Sequence, residues 1–259
     1  MTRDNYNIDR STKFAKSVEF TLAKKRVGRA SAVPAGTTFI VSNFPAFAGA
    51  LVVNVGANGT AATNSDSISG AFVFANTGTT AADSVKVVTA TAATRRQWNP
   101  RTRFKFVAPQ AITNVRTHFG LFSADPSAVA GAGLGAGGLS AAVFNYDTAV
   151  DTGAAVGFWQ VECGNAVGST RLQLPNAITA GNLYTAEIVI DDAGGEVDFW
   201  FADHGAATAP VKDTPLKLVA TLQATLPVAA TPLLIGGTAT NLGTATRRCT
   251  IGEVTLIQD

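Results

Sequence analysis

The sequence has 259 residues, of which 46% are hydrophobic and only 15% are charged, and its formal net charge at pH 7 is +2. Such a chain is too apolar and too weakly charged to be intrinsically disordered. It also lacks the sustained 3.6-residue apolar period of a helical bundle, and its 25 glycines and 10 prolines favour a fold with many turns.

The first 30 residues differ in composition from the rest of the chain. They carry eight Lys or Arg residues against three acidic residues, with few apolar side chains that could form a core. We therefore predict that residues 1–30 form an extended basic arm that becomes ordered on a partner. The candidate interface residues of this arm are Lys13, Lys16, Lys24, Lys25, Arg26 and Arg29.

Residues 31–66 are apolar but are interrupted by Gly and Pro. We predict two or three short strands here, in TTFIVS and ALVVNV, followed by a turn-rich linker, GANGTAATNSD. The apolar stretch at 44–57 is too short to span a bilayer, and the N-terminus lacks the apolar segment of a secretory signal. We therefore expect no membrane partner and synthesis in a reducing cytosol.

From residue 67 to residue 259, apolar residues alternate with polar ones in short runs that are separated by turn residues. In TAEIVIDDAGGEVDFWFADHG, two such runs flank Asp-Asp-Ala-Gly-Gly, which indicates a hairpin. This pattern predicts an all-β fold, an antiparallel β-sandwich of jelly-roll type, with no helix longer than a turn or two. The predicted strands centre on Phe72/Phe74, Val85/Val87, Phe104/Phe106, Phe119/Leu121, Val143/Phe144/Tyr146, Phe158/Trp159/Val161, Leu172/Leu174, Ile188/Ile190, Val197/Phe199/Phe201, Leu216/Leu218, Leu233/Ile235 and Ile251/Val254/Leu256.

The order of these stretches carries a family resemblance. SGAFVFAN, RTRFKFV and THFGLFSADP come first, then AAVFNYD and GAAVGFWQVECGN, then EIVIDDAGGEVDFWF and CTIGEVTLIQD. Residues 67–259 resemble the concanavalin A-like (lectin/laminin-G-type) sandwich of bacteriophage virion structural proteins. The resemblance implies that the last strand pairs beside the first, and that the protein is of the capsid decoration or cement type.

Charge is distributed unevenly along the chain. Residues 1–120 hold 15 basic and 5 acidic residues, a net charge of +10, whereas residues 121–259 hold 5 basic and 13 acidic residues, a net charge of −8. This asymmetry favours a protein that packs on copies of itself or lies between two different surroundings. The alternative is that the two halves neutralise each other within the fold.

A second basic cluster falls on the predicted sandwich, with Trp98 inside it. In RTRFKF the basic residues alternate with Thr and Phe, which places Arg101, Arg103 and Lys105 on the solvent face of one strand. A basic row with an aromatic residue could bind nucleic acid, but a pI of about 8.6 and an acidic second half favour a protein–protein interface instead. The cluster consists of Arg95, Arg96, Arg101, Arg103 and Lys105.

Glu196 and Asp198 form an E-x-D pair in the predicted hairpin. Family-16-type glucanases carry E-x-D-x-x-E on one strand, but the second Glu is absent here, and a retaining glycosidase needs two adjacent carboxyl groups. Legume lectins use E-x-D in a metal site, although Asp203 and His204 follow here at the wrong spacing. We predict a polar row on the solvent face, with a metal site as the alternative.

The remaining motifs indicate no cofactor. Gly133-x-Gly135-x-x-Gly138 matches a dinucleotide fingerprint, but a predicted strand rather than a helix follows it, so we interpret it as a flexible loop. His118 and His204 are too few for a metal set, and we assign neither a function. Cys163 and Cys249 are predicted to be buried and reduced, with a single disulfide as the alternative.

These patterns leave three classes of function. The first is a non-enzymatic virion protein, a decoration or cement protein that binds the major capsid protein or other virion proteins and its own copies, with a trimer favoured. The second is a carbohydrate- or receptor-binding module of a phage tail or fibre. The third, a glycan-acting enzyme, lacks a carboxylate pair. We predict the first class, with the protein located in a virion that is assembled in the host cytoplasm. Whether the protein also binds a glycan is left open.

Overall fold

The structure is a computed structural model that describes residues 40–42, 51–55, 59–66, 70–89, 92–129, 133–207 and 214–257. These residues form two antiparallel sheets. The eight-stranded sheet runs β13 (Lys217–Leu222), β12 (Glu196–Ala206), β11 (Asn182–Asp191), β6 (Arg101–Val107), β15 (Arg248–Ile257), β4 (Gly70–Asn76) and β3 (Thr60–Asp66), and β1 (Ile40–Ser42) pairs with β15. The seven-stranded sheet runs β10 (Ser169–Ala177), β9 (Phe158–Asn165), β8 (Ser140–Asp147), β7 (Val115–Phe122), β14 (Leu234–Asn241), β5 (Ser84–Thr89) and β2 (Leu51–Val55).

The two sheets pack face to face, and every second residue along each strand points inward to the shared core. Aromatic rings join them at the centre: Phe106 of β6 stacks on Phe119 of β7 with centroids 4.2 Å apart, and Phe144 of β8 stacks on Phe201 of β12 at 5.3 Å. Trp159 of β9 meets Phe106 edge to face at 5.4 Å. All five rings are almost completely buried, so they account for much of the apolar area that the fold removes from water.

The sandwich predicted from the sequence is confirmed. Each of the twelve predicted apolar runs lies on or beside one of the strands β4 to β15, and β15 pairs with β4 as the resemblance implies. The hairpin is present as β11 and β12, joined by residues 192–195. Within the described residues the helical turns are three-residue 3-10 turns, at Arg96–Trp98, Pro126–Ala128 and Gly153–Ala155.

Two local expectations differ from the structure. The segment predicted as a turn-rich linker contains the strand β3, which pairs with β4 over seven residues. Its Thr-Ala-Ala-Thr-Asn-Ser-Asp sequence has no apolar alternation, so its strand conformation follows from pairing rather than from its own pattern. The glycine-rich segment is not a free loop from 133 onward, because residues 133–139 pack against the outer face of the seven-stranded sheet.

The two cysteines lie on different sheets. Cys163 belongs to β9 and Cys249 to β15, and both thiols are free and completely buried. Burial raises the pKa of each thiol far above its ordinary value.

In the part of the chain that the structure describes, no helix is long and apolar enough to cross a membrane.

Candidate functional site

The predicted basic row lies on the outer face of the eight-stranded sheet, and acidic neighbours compensate much of its charge. Arg101 and Arg103 both bind the buried carboxylate of Glu187, at 2.7 and 2.6 Å. Lys105 pairs with Glu253 at 3.2 Å. The row is therefore a set of ion pairs within this chain, and its role as a protein interface stays a prediction.

Arg95 and Arg96 lie beside this row, at the 3-10 turn that precedes β6. The Arg95 guanidinium lies over the Trp98 ring, 5.3 Å from its centroid. Arg96 pairs with Asp192 at 2.9 Å and donates a hydrogen bond to the carbonyl of Pro227. Both arginines thus contact their own chain. The six basic residues predicted for the arm lie outside the described residues.

Glu196 and Asp198 lie on the solvent side of β12, opposite the buried Phe199 and Phe201, as the alternation predicts. Glu196 accepts a hydrogen bond from Gln223 at 3.1 Å, and Asp198 accepts one from Thr221. Both carboxylates are therefore bonded to neighbouring side chains. Among the described residues, no three His, Cys, Asp or Glu side chains are placed to hold a metal ion.

A different set of residues forms a buried polar cluster on the outer face of the seven-stranded sheet. β7 and β8 are buried on both faces, although their outward positions carry polar side chains. Strand register brings these positions together, because His118 pairs with Asn145, and Glu162 pairs with Arg171. The polar cluster consists of Arg116, His118, Asn145, Asp147, Asp151, Glu162 and Arg171.

Two arginines hold the acidic residues of the polar cluster in place. Arg116 binds Asp147 at 2.5 Å, and both side chains are almost fully buried. Arg171 donates to Asp151 at 2.8 Å and to the Asn145 amide oxygen at 3.1 and 3.2 Å. Burial raises the pKa of the Asp151 carboxyl above its ordinary value, an effect that the bond to Arg171 partly offsets. A network of this kind fixes the orientation of every member.

Glu162 connects the sheet to the glycine-rich segment. Its Oε2 atom accepts a hydrogen bond from Asn145 Nδ2, and its Oε1 atom accepts one from the backbone N–H of Leu134, both at 2.6 Å. The nearest guanidinium nitrogen, Arg171 Nε, is 3.8 Å from Oε2. Glu162 is only 2% exposed, so it is a buried carboxylate held mainly by uncharged donors.

His118 lies beside these charges in its neutral form. Burial, and then the positive charges of Arg116 and Arg171, lower its pKa from 6.5 to about 3. Its Nδ1 atom is 3.2 Å from the Thr238 hydroxyl. A neutral imidazole can donate through one ring nitrogen and accept through the other.

Residues 133–139 close one side of the polar cluster. Leu134 is buried there among Val88 and Phe122. Gly135 lies so close to Gly168 that a Cβ on Gly135 would come within 1.8 Å of the Gly168 carbonyl oxygen. The segment leaves a cavity of about 240 Å³, lined by His118, Val129, Gly133, Leu134, Asn145, Asp147, Val150, Glu162, Ser169 and Arg171.

This site is not predicted from the sequence. His118 was expected to have no function, and the other polar members of the cluster carried no prediction. The available signal was a repeated polar pair at positions i and i+2, namely R-x-H, N-x-D and Q-x-E in VRTHFGLF, AAVFNYD and FWQVECGN. Such pairs on three neighbouring strands indicate a polar face, but their burial depends on the distant segment 133–139.

Comparisons with known structures place this architecture in a known fold. A protein of unknown function from Shewanella oneidensis is 10% identical and matches with a TM-score of 0.54 over 87% of this chain and 89% of its own. The metal-free lectin I-B4 of Griffonia simplicifolia is 11% identical, with a TM-score of 0.52 over 86% of this chain and 99% of its own. Lectin I of Ulex europaeus, solved with the methyl glycoside of α-L-fucose, is 14% identical with the same TM-score and the same two coverages.

A scan against protein-family models finds no match, and neither does a search of curated protein sequences. At 10 to 14% identity the structural likeness establishes the fold alone. The chain is therefore a concanavalin A-like β-sandwich.

Proposed function

We propose that the protein is a glycan-binding module and that the cavity over the seven-stranded sheet is its ligand site. The observation that carries the proposal is the polar cluster itself, which presents an amide, a guanidinium, a carboxylate and a neutral imidazole to one cavity. Sugar hydroxyl groups both donate and accept, and a concave site with convergent polar groups is the usual form of a small-ligand site. The shared fold with lectins is consistent with this assignment.

The hydrogen bonding of the carboxylates favours binding over hydrolysis. Both oxygens of Glu162 accept hydrogen bonds from the protein. Asp147 accepts from Arg116 and from the backbone of Ala149, and Asp151 accepts from Arg171 and from the backbone of Asp147. A glycosidase needs one carboxyl group to deliver a proton and another to attack or to activate water. Carboxylates held in this way are better suited to positioning a ligand.

The proposal is tested on a glycan array with the wild-type protein and a cavity-filling variant. Ser169 lines the cavity on β10, so Ser169→Phe should fill it and abolish binding. Gln173→Phe, on the same strand at an exposed position outside the cavity, is the matched control and should retain binding. No glycan bound by the wild-type protein, or equal binding by both variants, would contradict the proposal.

The virion role favoured by the sequence analysis remains a prediction. Its predicted anchor, residues 1–30, lies outside the described residues, and its partners and oligomeric state also stay predictions. Deleting residues 1–30 and measuring incorporation into assembled particles tests it. Unchanged incorporation would show that the arm is not the anchor.

A further inference from the structure

The charged groups that line the cavity do not cancel. They are Asp147, Glu162 and Arg171, which leaves an excess of one negative charge. Including the ion-pair partners of this set, Arg116 and Asp151, leaves the excess unchanged. A ligand in the cavity therefore lies in a field that favours positive charge.

The unmatched charge belongs to Glu162. Asp147 and Asp151 each have a guanidinium nitrogen within 2.8 Å, whereas the nearest one to Glu162 is 3.8 Å away. The two short hydrogen bonds to Glu162 come from uncharged donors, the Leu134 backbone and the Asn145 amide. Each carboxylate oxygen has a second acceptor position, so Glu162 can bind a further donor.

His118 also lines the cavity and is only 4% exposed. Its Nδ1 atom lies 3.2 Å from the Thr238 hydroxyl. The imidazole is neutral at physiological pH, so it does not offset the negative charge of Glu162.

We propose that the cavity selects an amino sugar in its ammonium form, with the ammonium group bound near Glu162. The inference rests on the proposed glycan-binding function. A cavity of about 240 Å³ has the volume of about eight water molecules, so it accommodates one sugar ring rather than a chain. A uronic acid would bring a carboxylate beside Glu162, where the two like charges repel. The order of affinity is therefore cationic, then neutral, then anionic sugar.

The test is a matched ligand series, titrated into the full-length protein and followed by calorimetry. The series consists of glucosamine, which is cationic at C2, glucose and N-acetylglucosamine, which are neutral, and glucuronate, which is anionic at C6, together with their galacto-configured counterparts. At about pH 6 the amine is protonated, and the amino sugar should bind about tenfold more tightly than the neutral sugar, with the uronate weakest. At about pH 9 the amine loses its charge, and the preference should disappear.

Two variants assign the preference to one side chain. Glu162→Gln keeps the shape but removes the charge, and it should bind the amino and neutral sugars equally. Glu253→Gln is the control, because it removes an exposed carboxylate from the opposite sheet and should keep the wild-type preference. If Glu162→Gln fails to fold, the wild-type series and its pH dependence decide alone.

The outcomes separate the two proposals. Equal or tighter binding of glucose or glucuronate overturns the charge preference while the glycan-binding function stands. Absence of binding across the sugar series and across the glycan array overturns both.

Discussion

Arg116 and Asp147 show what single residues of the polar cluster contribute to stability. Both side chains are almost fully buried and face each other on adjacent strands. Burying two charges costs solvation free energy that their attraction only partly returns, but removing one partner leaves the other buried and uncompensated. The pair is thus a weak source of net stability and a strong constraint on geometry.

We predict that Arg116→Leu destabilises the protein by about 3–5 kcal/mol, because it leaves the Asp147 carboxylate unpaired in the interior. Arg103→Leu removes a half-exposed arginine from a carboxylate that retains Arg101, and it should cost less than about 1 kcal/mol. Urea unfolding at neutral pH measures both. Equal costs for the two variants would contradict the assignment of Arg116–Asp147 as a buried pair.

His118 predicts a pH dependence. The pKa of His118 is about 3 in the folded protein, whereas a histidine in the unfolded chain has the ordinary value of 6.5. As the pH falls, the unfolded chain therefore takes up the proton first. The contribution of the neutral ring to the free energy of unfolding is therefore fully present above about pH 6.5. As the pH falls from there toward about 3, the free energy of unfolding decreases by a few kcal/mol. His118→Gln should lack this component. Urea unfolding measured at several pH values tests it, and identical profiles for His118→Gln and wild type would count against it.

At the scale of elements, the sequence predicts the strands, but it does not predict which segment packs on the outer face of a sheet. The apolar alternation of Phe119/Leu121 and Phe199/Phe201 identifies the inward faces, because side chains on a strand alternate between two environments. His118 and Glu162 alternate with the inward Phe119 and Val161, so the local pattern indicates that these two polar side chains face solvent. Their burial depends on Leu134, which comes from a glycine-rich segment whose local pattern indicates only a loop. The fold was therefore predictable from local periodicity, and the site was not.

The contact between the glycine-rich segment and the β9–β10 turn gives an element-scale prediction. Gly135→Ala should displace the segment and cost about 1–3 kcal/mol, because its Cβ would overlap the Gly168 carbonyl. Gly168→Ala is the control, because its Cβ would meet only the Thr225 methyl group at 3.9 Å. Thermal unfolding and limited proteolysis near residues 133–139 report both effects. Comparable stability of the two variants would show that the segment adjusts without strain.

At the scale of the whole molecule, the two thiols report on global opening. Cys163 and Cys249 lie on different sheets and are both inaccessible, and burial raises the pKa of both thiols. The thiolate is the reactive form, so neither cysteine should react with a thiol reagent until the sheets separate. We expect both to be labelled in urea with the same midpoint as the loss of β structure. Rapid labelling of either thiol in the native protein would contradict the packing described.

The position of β15 has a consequence for how the chain is made. This strand is the last of those described, yet it lies in the interior of the eight-stranded sheet, with β6 on one side and β4 and β1 on the other. Strands β4 and β6 therefore emerge from the ribosome long before the neighbour that joins them, and their edges stay unpaired until residues 248–257 are synthesised. Contacts of such long sequence separation slow folding and expose the nascent chain to aggregation. Completion of the sandwich therefore waits until residues 248–257 have been synthesised.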